Sequence, residues 1–513
     1  MTALSNWLTR IYAIRSGPEI EMGLERIRPV FDALNVKPAC PVIMVAGTNG
    51  KGSVCAYLDA MLRAGGYRTA RYTSPHIHRF NERVAINGID ANDDELVAAF
   101  EAVEAARAAC NNLALTFFEY TTLAAFCVFS KVKLDAWIIE VGLGGRLDAT
   151  NILEPDCSVI VSIGIDHTEF LGDTRERIAI EKAGIMRAGK PVIIGDTHPP
   201  ETLAECALRV GANAQFIGQA FGWQKNLETP GQWSFWVNST ARAASAIHSH
   251  APSASPSTAA RERVPERAGE GGGLGRAGET PASLIVDELV LQAKSESQTS
   301  TLTPAPALTS ASLVPRAAGE GASSAAHAGI SYRHALPIPA LRGHNQLGNA
   351  ACALAALHTL NAALPLSQGA IKQGLLEVEW PGRFQVLPGR PTTVLDVAHN
   401  EHAAKALERA LSDMAYFPVT HAVFAMLKDK DITAVVAALK HRIDHWHIAP
   451  LPGVRGIDVD ALAAALTHAG VKDAAIKRYP SVAAAYAAVR ETADEADRIV
   501  VFGSFVTVSQ VAA

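Results

Sequence analysis

The chain has 513 residues, of which 49% are hydrophobic, and a formal net charge of −5. That balance gives no electrostatic case for a nucleic-acid partner, and without a run of about 18 uncharged apolar residues nothing is expected to span a membrane. Seven cysteines lie singly along the chain with no CxxC pair, which argues against a disulfide framework or structural zinc and suits a reducing cytoplasm. Met1 to Arg28 has no apolar core flanked by basic residues, so no signal peptide is expected and the protein is placed in the cytoplasm. Length alone predicts two to four domains.

The first telling element is the short apolar run Pro41–Val45, which leads into Gly47-Thr48-Asn49-Gly50-Lys51-Gly52-Ser53, after which Val54–Leu62 reads as a helix. Glycines let backbone N–H groups crowd around a phosphate, the helix N-terminus favours the anion, and Lys51 adds a mobile positive charge. The pattern G-x-x-x-x-G-K-[ST] is not met literally: Val45 stands at its first glycine, and Gly52 intervenes before Ser53. The strand–turn–helix context with a lysine inside it still predicts nucleotide binding, against the plainer reading of a tight turn that needs glycine.

Further along, Trp137–Val141, Ser158–Ile163 and Pro191–Ile194 read as strands, with helices at Asp93–Ala109, Glu119–Val132 and Thr174–Ala188. Such alternation predicts βαβ crossovers, an α/β fold with a mainly parallel sheet, and ligands beyond the carboxyl ends of its strands. From Ser239 to Gly329 the composition turns to Ala, Ser, Thr, Gly, Pro and Glu, with only Leu284–Leu291 apolar enough for a strand. That segment is predicted to be a low-complexity, disordered insertion, a docking tail being the lesser alternative. Order resumes at Ile330–Ala340, with helices at Asn349–Leu360 and Leu366–Leu376. A second alternating region follows through Thr393–Val397, Ala422–Leu427, Trp446–Ala449 and Arg498–Phe502. The expected organisation is therefore a first domain at residues 1–386 carrying the 239–329 insertion, and a smaller α/β domain at 387–513. The Pro- and Gly-rich Pro388–Pro391 is the expected hinge.

Four clusters carry chemistry. Tyr72-Thr73-Ser74-Pro75-His76 places hydroxyls after a strand, and Glu140 ends a buried strand just before a glycine turn that leads to Asp148 and Asn151. His167 follows the next strand in Ser162–His167, and Glu181-Lys182-Ala183-Gly184-Ile185 sits on the helix after it. Phosphoryl transfer needs a hard cation bridging phosphate oxygens, which Glu140 and Ser74 suit, with His167 able to complete the site. A strand-end glutamate can equally cap a neighbouring helix, and a histidine beside an aspartate can be a hydrogen-bonded loop residue.

These motifs, with Phe80-Asn81-Glu82-Arg83-Val84, Phe118-Glu119, Pro381–Gln385, Leu395–Asn400, Met426–Asp431 and Gly503-Ser504-Phe505, carry a resemblance. The chain resembles the folylpolyglutamate synthase family of ATP-dependent Mur-type amide ligases, and most of all its bacterial bifunctional members. The resemblance implies a P-loop Mur ligase-type central ATPase domain with a parallel sheet, and a smaller C-terminal Rossmann-like α/β domain contributing to ATP and glutamate binding. It implies that Thr48, Asn49, Gly50 and Lys51 hold the ATP phosphates, with Asn349, Arg383, Asp396 and His399 as further ATP contacts. Ser74, Glu140 and His167 become magnesium ligands, two ions and a monovalent cation are expected, and Lys182 corresponds to a lysine that the family carbamylates. Lys51, Lys182 and His167 are the implied catalytic groups. Pterin recognition falls to Glu21, Met22, Gly23, Thr116, Phe117, Phe118, Glu119, Leu147, Asp148 and Ala149, where Phe118 offers a face for stacking and Asp148 an acceptor for pterin N–H groups.

The implied reaction joins L-glutamate to 7,8-dihydropteroate and adds glutamates to tetrahydrofolates through an acyl phosphate, in a monomer. Departures are few: Glu401 where proline commonly follows Ala-His-Asn, Ala425 for a glycine, and Arg342-Gly343-His344 before Asn345. Three alternatives stay open. One is a folylpolyglutamate synthase lacking the dihydropteroate activity. Another is a peptidoglycan Mur ligase, against which stands the lack of a preceding UDP-binding domain. The last is a nucleotide-binding scaffold that uses the insertion as a docking arm.

Overall fold

The computed structural model describes residues 2–13, 20–238, 329–453 and 455–511. The expected insertion, with its candidate strand Leu284–Leu291, lies outside the described residues apart from Gly329. The first sheet is built from β1 (Val42–Ala46), β2 (Thr69–Tyr72), β3 (Val84–Ile86), β4 (Ile89–Asp90), β5 (Ala136–Glu140), β6 (Cys157–Ile160), β7 (Pro191–Ile194) and β8 (Asn213–Phe216). Its order is β4-β3-β2-β5-β1-β6-β7-β8. The run from β2 to β8 is parallel, and β3 and β4 add an antiparallel edge. β1 lies between β5 and β6 with all five residues buried, because helices cover both faces. Its side chains divide with period two. Val42, Met44 and Ala46 join the core that contains Phe100 and Phe126, whereas Ile43 and Val45 join the one that contains Val54, Leu58 and Leu354.

A second, three-stranded antiparallel sheet, β9 (Phe221–Lys225), β10 (Gln232–Asn238) and β11 (Ile330–Pro337), has the order β11-β10-β9. The chain leaves this sheet at Asn238 and re-enters it at Ile330, directly opposite. The third sheet, β12 (Gln385–Leu387), β13 (Thr392–Asp396), β14 (Thr420–Phe424), β15 (His445–Ile448), β16 (Ile476–Arg478) and β17 (Arg498–Phe502), has the order β12-β13-β17-β14-β15-β16 and is parallel except for β12. The protein is thus α/β, with a separate, smaller C-terminal α/β domain.

Two local expectations change. The helix expected over Thr174–Ala188 spans Arg175–Ala183, starting at a cap where Thr174 Oγ1 accepts from Arg177 N and stopping at Gly184. Pro388–Pro391 is not a linker. It turns between β12 and β13, which pair antiparallel, so the chain has joined the third sheet by Gln385.

Candidate active site

The phosphate loop takes the form that its glycines permit. Gly47 and Gly50 both have positive φ, and a Cβ on Gly50 would lie 2.8 Å from Asn349 Oδ1. The helix Lys51–Ala64 starts directly after Gly50, so its first N–H groups face the loop. The segment after β6 stitches the loop in place. Thr48 N donates to Ser162 O (2.8 Å), Gly164 N to Thr48 Oγ1 (2.9 Å) and Asn49 N to Ser162 Oγ (3.0 Å). Lys51 Nζ bends back to Gly47 O (2.9 Å). Burial pushes its pKa down, partly offset by Glu140.

A cleft of about 580 Å³ opens over the carboxyl ends of β1, β2, β5 and β6 and is closed on its far side by the C-terminal domain. Thr48, Asn49, Lys51, Ser74, Glu140, His167, Lys182, Arg383 and His399 line it, as do all ten residues expected at the pterin. Gly50, Asn349 and Asp396 do not line it. Asn349 sits behind the loop and donates to Gln346 Oε1 (3.1 Å), and Gln346 in turn donates to Ser53 Oγ (3.4 Å). Asp396 accepts from Phe384 N (2.9 Å) and Ala398 N (2.8 Å), and its charge faces Arg383. It therefore holds the turn that presents Arg383, whose buried Nε has no hydrogen-bond partner.

Glu140 is buried at the end of β5, where its Oε2 accepts from Ser74 N at 3.1 Å. Burial raises its pKa, against the pull of Lys51. Among the described residues, no group of three or more His, Cys, Asp or Glu side chains is arranged to hold a metal ion by itself. The donors nevertheless fit a hard divalent ion that takes its remaining ligands from phosphate and water: a buried carboxylate facing Lys51 and Arg383, with a serine beside it. His167 has positive φ, and burial depresses its pKa to about 4, so its ring is neutral at pH 7 and able to ligate or accept. Its Nε2 lies 3.4 Å from Lys430 Nζ.

Lys182, on the helix Arg175–Ala183, is buried. Burial, reinforced by the charge of Lys51, lowers its pKa to about 7.

At the end of the cleft expected to take the pterin, the helix Phe117–Ser130 begins with a capping box in which Glu119 N donates to Thr116 Oγ1 (3.2 Å) and Thr116 N to Glu119 Oε2 (2.7 Å). Arg26 joins Glu119 Oε1 (2.9 Å) to Glu21 Oε1 (2.7 Å), and Gly23 N donates to Leu147 O (3.2 Å), so the N-terminal segment becomes a wall of the cleft. Asp148 is largely engaged by the protein, accepting from Leu143 N (2.8 Å), Thr150 N (3.0 Å) and Thr150 Oγ1 (2.6 Å). A Cβ on Gly142 would collide with the Phe118 ring, so this glycine makes room for the aromatic face.

Several residues that line or brace the cleft were given no role from sequence. Asp166 accepts from Lys430 Nζ (2.6 Å) and Asn400 Nδ2 (3.0 Å), with His399 Nε2 at 3.5 Å, and so binds the C-terminal domain to the first. Burial opposes its ionisation, but His399, Lys430 and His167 hold its carboxyl well below the usual range. Arg83, His76, Arg455 and Phe505 also line the cleft, and Arg26 braces it. Asp166, Arg83, His76, Lys430 and Phe505 fall inside the motifs that carry the family resemblance, which is the signal the chain offers for them. Nothing in the spacing marks Arg26.

A phosphate loop with a lysine, a carboxylate across from it, and a second α/β domain closing the cleft define an ATP-dependent ligase of the Mur type. Accordingly, the Mur ligase middle domain matches residues 45–205, and the Mur ligase, glutamate ligase domain matches residues 382–505. The dihydrofolate synthase/folylpolyglutamate synthase of Escherichia coli (strain K12) is 35% identical over 509 residues, covering 99% of this chain and 94% of its own. The solved E. coli FolC in complex with DHPP and ADP superposes with a TM-score of 0.75 at 33% identity, covering 100% of this chain and 97% of that one. A bifunctional folylpolyglutamate synthase/dihydrofolate synthase with Mn, AMPPNP and L-glutamate bound gives 0.74 at 34% identity, with 100% and 97% covered. The chain belongs to the dihydrofolate synthase/folylpolyglutamate synthase family.

Proposed function

We propose that this enzyme joins L-glutamate to 7,8-dihydropteroate and extends tetrahydrofolates with further glutamates, using ATP. The observation that carries the reading is the single cleft in which a phosphate loop, the buried Glu140 and an aromatic-lined pterin wall meet. Amide formation from a carboxylate in water is uphill, so the acid is activated first: its oxygen attacks the γ-phosphorus of ATP, ADP leaves, and an acyl phosphate results. The amino group of glutamate then attacks the acyl carbon, phosphate departs, and the amine proton passes to solvent or a nearby base.

Thr48, Asn49, Gly50 and Lys51 hold the phosphates, with Lys51 countering charge on the transferring group. Arg383, seated by Asp396, offers the unpartnered Nε to phosphate, and Asn349 supports the loop from behind. Ser74, Glu140 and His167 would hold magnesium, which supplies Lewis-acid stabilisation of phosphoryl oxygens. Lys182 lies in the cleft with an amine that burial shifts toward its neutral form near pH 7; in that form its nitrogen attacks the carbon of carbon dioxide and a proton passes to solvent. The resulting carbamate replaces a cation by an anion suited to a second ion, and this is the reading we give it. Phe118 stacks the pterin, Asp148 and the segment Glu21–Gly23 border it, and His399, beside Lys430 on the C-terminal wall, is a further contact to ATP. Asp166 keeps the two domains closed over the acyl phosphate, which excludes water.

Among the described residues, no helix is long and apolar enough to cross a membrane, and all seven cysteines are free. We place the enzyme in the cytoplasm as a monomer. ADP release by the purified protein, with dihydropteroate and tetrahydrofolate supplied separately, tests the assignment. Turnover must require both the acid and glutamate. Turnover with tetrahydrofolate alone would reduce it to a folylpolyglutamate synthase, and turnover with neither acid would sink it.

A further inference from the structure

Arg83 closes the short 3-10 turn Phe80–Arg83 and faces the cleft half-buried. Its Nε donates to His76 Nδ1 at 2.9 Å. A guanidinium has no acceptor, so that ring nitrogen carries no proton, and His76 fixes the arginine without neutralising it. The rings of Phe80 and Phe117 flank the guanidinium carbon at 5.6 and 5.8 Å, which holds the planar group and keeps water from its sides. The adjacent carboxylate, Glu82, is committed elsewhere. It accepts from the backbone N–H groups of Ile77 (2.7 Å), His78 (2.7 Å) and Arg79 (2.6 Å). Among the described residues, no carboxylate pairs with Arg83, and its terminal nitrogens make no hydrogen bond.

Apart from Lys182, whose charge burial suppresses, the other cations of the cleft are accounted for. Lys430 is tied to Asp166 and Arg455 to Asp429, both on the wall supplied by the C-terminal domain. Lys51 and Arg383 sit at the phosphate end. Arg83 is left as an unneutralised fork on the wall that carries the aromatic pterin residues, the side where the acid substrate lies. Dihydropteroate has one carboxylate, and that one reacts. A tetrahydrofolate that already bears glutamate has two, one of which must be held while the other reacts, and a carboxylate in a closing cleft needs a counter-charge.

We propose that Arg83, oriented by His76, receives the non-reacting carboxylate of a folate that already carries glutamate, and so governs polyglutamate extension rather than the first glutamylation. The inference rests on the assignment of both activities above. It deepens that assignment by giving one activity a residue that the other does not use in the same way.

The test compares kcat/KM for tetrahydrofolate and for dihydropteroate in the wild type, Arg83→Gln and Arg83→Lys. Arg83→Gln is expected to lower kcat/KM for tetrahydrofolate about tenfold or more beyond any fall for dihydropteroate, mainly through KM. Arg83→Lys recovers part of that loss, because it restores the charge without the fork. Dihydropteroate turnover in the same preparation reports that the variants are folded. A tetrahydrofolate with its non-reacting carboxylate converted to an amide gives a second readout that needs no variant: wild type should discriminate against it about tenfold or more. Equal losses with both acids, a raised KM for glutamate shared by both reactions, or indifference of the wild type to the amide each overturn the proposal. An absence of wild-type turnover with either acid instead removes the functional assignment, so the two failures are distinguishable.

Discussion

Replacing Lys182 tests the chemistry of the cleft most directly. Its pKa falls from 10.5 to about 7, through burial first and the charge of Lys51 second. At pH 7 the neutral fraction is therefore about one half, against about one in three thousand for an ordinary lysine, a gain of roughly 10³ in the species that captures carbon dioxide. With ¹³C-bicarbonate, the wild type should show a carbamate resonance that grows as pH rises through 7 and is absent in Lys182→Met and Lys182→Arg. Both variants should lose on the order of a hundredfold or more in turnover, and wild-type turnover should fall in carbon dioxide-depleted buffer.

The same shift makes a stability statement. The folded state resists protonating this amine, so the penalty, about 5 kcal/mol as an order of magnitude, is full below pH 7 and fades as pH rises toward 10.5. Lys182→Met should accordingly melt above the wild type at pH 6, with the gap narrowing at pH 9. No labelled adduct, together with turnover indifferent to carbon dioxide, would refute the reasoning, whatever the melting curves show.

Lys51→Ala and Glu140→Ala should each abolish both glutamylations, by about 10³-fold or more in ADP release, while circular dichroism stays native. Arg26→Gln frees Glu119 and Glu21 from their shared guanidinium and should raise KM for dihydropteroate about three- to tenfold, leaving KM for ATP far less changed. Deletion of Ser245–Glu320 should leave both activities within about twofold, because the flanking strands β10 and β11 pair with each other at Asn238 and Ile330. His447 is buried, with Nδ1 3.0 Å from Tyr479 OH, and burial lowers its pKa to about 3. The unfolded chain therefore takes up a proton first as pH drops below 6.5, and the melting temperature should fall by several degrees between pH 7 and 5. His447→Gln should flatten that fall, and an unchanged slope would count against it.

Much of the molecule was legible because its strands are buried on both faces. β1, β5, β7 and β17 read as short apolar runs, and helices between them gave the parallel sheet. β9 and β10 were not expected, although Gln232–Asn238 alternates half-buried and buried positions as an antiparallel strand should. Pro388–Pro391 was misjudged because proline and glycine mark a tight turn and a linker alike, and only the pairing of β12 with β13 separates them. In the cleft, residues next to a phosphate loop or strand end could be found from the chain alone. Arg26 could not, since its partner Glu119 is 93 positions away and meets it only through the packing of helices. Asp148 and Glu119 were expected to face substrate, and they do line the cleft, yet their oxygens largely serve the protein's own N–H groups. A sequence cannot reveal how far a polar atom is already occupied.

The facing ends of β10 and β11 give the protein a permissive port. Asn238 and Ile330 are cross-strand neighbours, about 5 Å apart by the geometry of an antiparallel pair. Any polypeptide spliced between them starts and finishes at nearly the same point and exerts no leverage on the catalytic sheet. A fluorescent module or an affinity handle grafted there would travel with the enzyme as cargo.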